Sequence, residues 1–160
     1  MVDQNDGTES RPPSVEDLVN LCRQLNIQGA RYIVIGGMAI IQAGFVRATE
    51  DIDLLVDPSP DNQEKIRAAM MNLPDQAIRK VQPDDLDRYM VVRVADEIVV
   101  DLMKNACGIN YEAAKASIER VTLDDVEIPF ASADLLWRLK QTRREKDNLD
   151  LLFLRELLKK

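Results

Sequence analysis

Two short stretches decide how this chain is read: Tyr32-Ile33-Val34-Ile35-Gly36-Gly37-Met38-Ala39, and Thr49-Glu50-Asp51-Ile52-Asp53-Leu54-Leu55-Val56. The first opens with four apolar, β-branched or aromatic residues, the composition of a buried strand. Gly36-Gly37 ends that strand, and Met38 to Ala43 has helical character, closed by Gly44. The second stretch is a strand in which Asp51 and Asp53 share one face while Ile52, Leu54 and Val56 share the other. On extended backbone the two aspartate Cα atoms lie roughly 6.6–7 Å apart. Forcing two such carboxylates to within ~4 Å costs about 4 kcal/mol at an effective dielectric of 20. A divalent ion reverses the sign of that interaction.

A third acid belongs with them. In Glu97-Ile98-Val99-Val100-Asp101-Leu102-Met103, Asp101 stands inside an apolar run. Burying an unpaired charge is expensive, so a metal shared with Asp51 and Asp53 gives it a reason, as does a sheet edge open to water. The Gly36-Gly37 turn supplies a complementary element. Glycine lets the backbone approach a phosphate, and free N–H groups at a helix start donate to one. Two rival readings of the turn fail: the third glycine of a dinucleotide fingerprint is missing, and no Gly-Lys-Ser/Thr follows for a P-loop. The acid pair also lacks the glycine and distant glutamate of an EF-hand loop.

Composition narrows the chemistry further. The 160 residues contain no histidine, which removes Ser-His-Asp and Cys-His catalysis and histidine-based zinc sites. What remains is carboxylate, lysine, arginine and hydroxyl, and clustered carboxylates select Mg²⁺ or Mn²⁺. The net charge of −7 gives no general attraction for nucleic acid, and only Arg138 to Lys146 is locally basic. Cys22 and Cys107 stand in no metal or redox spacing, and Cys22 reads as a small core residue. No apolar run reaches membrane-spanning length and the polar N-terminus lacks a signal-peptide layout, so the expected location is the cytoplasm, with no membrane partner.

The remaining elements follow from periodicity and caps. Residues 1–13 read as a disordered tail. Ser14 caps a helix that runs to about Gln28, with Glu16 and Asp17 in its first turn and Gly29 as its stop. Asn62 to Met71 is helical. Gln76 to Arg88 is ambiguous. Tyr89 to Val94 and Glu97 to Met103 form a hairpin joined at Ala95-Asp96. Tyr111 to Ile118 is expected to be helical and Val126 to Phe130 a strand. Ser132 caps a helix through Leu139, and a last helix from about Lys146 to Leu158 turns Leu149, Leu152, Phe153 and Leu157 inward. The order gives an α/β (α+β) fold: a mixed sheet flanked by helices over residues 14–130, with a small C-terminal helical extension over 131–160.

Taken together, Ile35-Gly36-Gly37-Met38-Ala39, Gly44, Arg47, Thr49 and Asp51-Ile52-Asp53 resemble the signature of the nucleotidyltransferase superfamily. The closer similarity is to small bacterial AbiEii-type and minimal nucleotidyltransferases. It covers about residues 15 to 155, including Leu139-Lys140, Arg144, Lys146-Asp147 and Asp150, where relatives carry a helical Lys/Arg-Lys-Asp segment. The resemblance implies a nucleotidyltransferase fold in which Asp51, Asp53 and Asp101 are catalytic and hold one or two Mg²⁺ (or Mn²⁺) ions. It implies an NTP such as ATP as donor, with Gly36, Gly37, Arg47, Thr49, Lys140, Arg144 and Lys146 as nucleotide contacts. The acceptor is a hydroxyl on a tRNA, a protein or a small molecule. Many active members carry Ser where this chain has Gly37. Two other roles follow from the same resemblance: a non-catalytic half of a toxin–antitoxin pair with a helical partner protein, and a regulator that binds nucleotide without turnover. Taken alone, Lys140, Arg144 and Lys146 read as a solvated helical face, and Arg47 as a loop arginine.

Overall fold

The computed structural model describes residues 9–141 and 147–160. Helix α1 (Val15–Gln28) begins at Ser14, whose hydroxyl accepts from the Asp17 amide while the Asp17 carboxylate accepts from the Ser14 amide. This reciprocal box and the left-handed Gly29 fix both ends where the sequence puts them. Strand β1 (Tyr32–Ile35) runs directly into α2 (Gly36–Gln42), which starts two residues earlier than periodicity indicates. Strand β2 (Asp51–Val56) follows, then α3 (Pro60–Met70), capped by the Ser59 hydroxyl.

The ambiguous stretch after α3 resolves into a 3₁₀ turn (Ala77–Lys80) and the single-turn helix α4 (Asp85–Arg88). Strands β3 (Val92–Ala95) and β4 (Val99–Met103) are shorter than expected at their starts. Asp96 explains the turn between them. Its buried carboxylate accepts from the amides of Asp75, Ala77 and Glu97, which takes residues 96–98 out of the ladder. The described part of the N-terminal tail runs along this turn, with Ser10 Oγ donating to Asp96 O and Arg11 N to Glu97 O.

The two-residue strands β5 (Asn105–Ala106) and β6 (Ile109–Asn110) form a small hairpin. Next comes α5 (Tyr111–Ala114), only one turn long. The helix expected through Ile118 stops there, because Ile118–Leu123 is a strand, β7, paired antiparallel with β8 (Val126–Ala131). Asp124 and Asp125, both at positive φ, make the tight turn whose twist suits a hairpin. The chain closes with α6 (Ala133–Leu139), capped by Ser132, and α7 (Asp147–Leu158).

Six strands form one mixed sheet in the order β3-β4-β2-β1-β8-β7. β2 and β4 are parallel, as are β1 and β8; the other neighbours are antiparallel. One face of the β3-β4-β2 segment is wholly apolar and buried: Val92, Val94, Val100, Leu102, Ile52 and Leu54. The acids take the alternate positions, so burial of these six residues fixes the register that presents the acids on the opposite face. α1 and α3 pack on each other, α2 packs on β1 and β2, and α6 packs on α2 and α7.

Helix α7 departs from its sequence pattern. Leu149 and Leu152 are 65% and 49% exposed, and the buried positions are Asp147, Asp150 and Leu154. Phe153 does turn inward, stacked on Phe45 at 5.0 Å between ring centroids. The two aspartates face the buried Lys140, so charge pairing sets the roll of the helix that leucine periodicity would have set otherwise. No described helix is long and apolar enough to cross a membrane.

Asp96→Ala removes the acceptor of three backbone donors, of which the Ala77 amide is buried and those of Asp75 and Glu97 are partly buried. It is expected to cost about 3 kcal/mol or more, read as a lower urea midpoint with an unchanged m-value.

Candidate metal centre

Asp53 lies opposite Ile35 on β1 and opposite Asp101 on β4, in register. Asp51, two residues before Asp53, points to the same face. Each of the three acids offers one carboxylate oxygen that lies within 4.8 Å of the other two. Among the described residues this is the one group of acids and thiols gathered closely enough to hold an ion. Oxygen donors alone, brought together by a rigid sheet, fit a hard divalent cation such as Mg²⁺ or Mn²⁺.

The electrostatics record the crowding. Burial, then the charges of Asp51 and Asp101, push the Asp53 carboxyl up to about 7, opposed by the Lys140 ammonium. Burial and Asp101 also raise Asp51, opposed by Arg93. Arg93 is the residue that sequence reading missed. It stands on β3 directly across from Asp101. Its Nε donates to Asp101 Oδ1 at 3.0 Å and its Nη2 to Asp101 Oδ2 at 2.9 Å. The same Nη2 donates to Asp51 Oδ2 at 3.2 Å. The signal was an arginine in an alternating strand, which reads equally well as an outward edge charge.

The glycine turn presses against this cluster. Gly36 sits at φ +68°, and a Cβ there would lie 2.2 Å from Asp53 Oδ2. A Cβ on Gly37 would lie 2.4 Å from Thr49 Oγ1 and 2.9 Å from Arg47 Nη1. Both glycines are therefore sites of close approach, where any side chain displaces the wall of the site. Thr49 Oγ1 donates to the Asp51 carbonyl and ties the loop to the start of β2.

Behind this wall lies a buried charge network. Lys140 Nζ contacts Asp147 Oδ1 and Asp150 Oδ2, each at 3.1 Å. Arg47 Nη1 lies 3.5 Å from Asp150 Oδ2, an ion pair without a hydrogen bond. Lys140 is thus buried and paired, not part of a solvated face. Of the sequence-derived candidates, Gly36, Gly37, Arg47 and Thr49 lie together beside the acids, and Lys140 acts on Asp53 from the network. Arg144 and Lys146 lie outside the described residues.

Neither a protein-family model nor a curated protein matches the chain. A solved structure does. A Thermotoga maritima protein described as a "putative nucleotidyltransferase", its crystal structure determined at 1.87 Å, superposes with a TM-score of 0.57. The match covers 98% of this chain and 99% of that one, at 17% identity. At that identity the likeness shows the fold. The six-stranded mixed sheet with its helices is that of this nucleotidyltransferase-type structure, over nearly its whole length.

Two expectations follow from the geometry. Gly37→Ser will lower the melting temperature because its Cβ meets Thr49. Adding Thr49→Ala will recover part of the loss, so the double mutant will be more stable than the two single effects summed. The second concerns pH. Folded Asp53 titrates near 7 and the ordinary carboxyl near 3.8, so between those values the folded state binds more protons than the unfolded. Metal-free protein will therefore lose stability as pH rises through that window. Scanning calorimetry in EDTA will record the slope, which Asp53→Asn will flatten.

Proposed function

We propose that this chain is a Mg²⁺-dependent nucleotidyltransferase of the small AbiEii-like type, moving a nucleoside monophosphate from an NTP to an acceptor hydroxyl. The observation that supports it above all others is the convergence of Asp51, Asp53 and Asp101. It occurs on a fold shared end to end with a nucleotidyltransferase-type structure.

In this reading Asp51 and Asp53 hold the divalent ion and Asp101 completes the set. The bound ion supplies Lewis-acid neutralisation of the triphosphate and of the departing pyrophosphate. Gly36 and Gly37 keep the wall beside Asp53 free of side chains, so that phosphates lie close to the backbone there. Arg47 and Thr49 flank that wall and position the phosphates. Lys140, together with Arg144 and Lys146, adds positive charge from the C-terminal side. Asp101 accepts the proton of the acceptor hydroxyl as its oxygen bonds to the α-phosphorus. The bond from the α-phosphorus to the bridging oxygen breaks, and pyrophosphate leaves with that electron pair. The acceptor belongs to a tRNA end, a protein or a small molecule.

Incubation of the purified chain with α-³²P-labelled NTPs, Mg²⁺ or Mn²⁺ and cell extract is expected to label an acceptor and release pyrophosphate. Asp51→Asn with Asp53→Asn is expected to lower labelling by about 10³-fold or more, the scale of losing a preorganised charge site. If every NTP and both metals leave all acceptors unlabelled, the assignment fails.

A further inference from the structure

Arg93 has no place in the scheme above, yet it is bonded to two of the three acids. Its position follows from topology. β3 is the edge strand next to β4, and the antiparallel register sets Arg93 against Asp101 on the face that carries the acids. The fork on both oxygens of Asp101 fixes the plane of that carboxylate. The shared Nη2 then draws Asp51 toward it. Lys140, the other cation acting on the cluster, is already held by Asp147 and Asp150. Arg93 is therefore the cation that answers the repulsion between Asp51 and Asp101.

The guanidinium on Asp51 Oδ2 and Asp101 Oδ2 and a dication held by the same two carboxylates would repel each other, and both draw on the charge of those carboxylates. The Arg93 side chain is 47% exposed, so open solvent lies beside it for the group to move into. Arginine keeps its charge at any physiological pH, so loss of its proton cannot relieve this repulsion.

Resting on the reading of the acids as a metal centre, we propose that Arg93 is a built-in counter-cation. It holds Asp51 and Asp101 together in the empty site, yields Asp51 to the incoming divalent ion while keeping its fork on Asp101, and so sets the affinity for that ion. Arg93 is a positioning residue in this scheme, acting through the two carboxylates.

The test is Mn²⁺ binding to the full chain without nucleotide, followed by electron paramagnetic resonance of free Mn²⁺, for the unaltered protein, R93M and R93K. Removing the charge with R93M is expected to tighten Mn²⁺ binding about tenfold, the scale of one unit charge acting on a dication through partly solvated protein. R93K keeps the charge but loses the two-pronged fork on Asp101, and is expected to bind Mn²⁺ more weakly than R93M. In EDTA, R93M is expected to melt below the unaltered chain and to gain more from added Mn²⁺. R93Q serves as the uncharged variant if R93M does not fold. Unchanged or weaker binding by R93M, with the unaltered chain binding Mn²⁺, overturns the role of Arg93 and leaves the metal centre standing. Binding by R93M alone supports the proposal in its strongest form. Binding by neither overturns both the proposal and the metal reading beneath it.

Discussion

Three carboxyl groups crowded on one face of a sheet are the constraint around which this molecule is arranged. At a separation of 4.8 Å or less, each carboxylate pair repels by about 3 kcal/mol or more at an effective dielectric of 20. A fold holds such a cluster only if something else fixes the backbone. Here that is the opposite face of the same strands, where Ile52, Leu54, Val100, Leu102, Val92 and Val94 are buried. Because side chains alternate strictly along a strand, no register slip relieves the acids without exposing that apolar face. Hydrophobic burial on one side thus stores electrostatic strain on the other.

The strain is met locally by positive charge, in two different ways. Arg93 touches Asp51 and Asp101 directly, and Lys140 acts on Asp53 while bonded elsewhere. The difference matters because a buried lysine needs its own counter-charge. Asp147 and Asp150 provide it, and in doing so they dictate that α7 turns its acids inward and Leu149 outward. The C-terminal helix is positioned by the charge balance of a site several elements away, through Lys140 and Arg47.

This explains which parts of the structure were legible in the sequence. Features set by neighbours in the chain were readable: the Ser14 cap of α1, the strand Tyr32–Ile35, the alternation of Asp51 and Asp53, the Ser132 cap of α6. Features set by partners across the sheet were not. Nothing adjacent to Arg93 reveals that it faces Asp101, since the pairing comes from strand register. β7 is hidden in the sequence because Tyr111-Glu112-Ala113-Ala114 forms a genuine helical turn whose pattern continues toward Ile118. The two aspartates at 124 and 125 were the overlooked hairpin signal. Leucine periodicity does not set the roll of α7, because two buried, paired aspartates outweigh Leu149 and Leu152, which stay exposed.

The glycine pair shows how the same constraint acts on sequence. A serine at position 37 works only where the space above it is open. In this chain that space is filled by Thr49 and Arg47, one tying the loop to the start of β2 and the other reaching toward Asp150. Gly37 is therefore linked to its loop and cannot be judged as a lost hydroxyl in isolation. Thr49 and Arg47, both on the loop before β2, place a hydroxyl and a guanidinium beside the turn. The close contacts at Gly36, with Asp53, and at Gly37, with Thr49 and Arg47, thus tie the turn to the acid strand on one side and to the loop before it on the other.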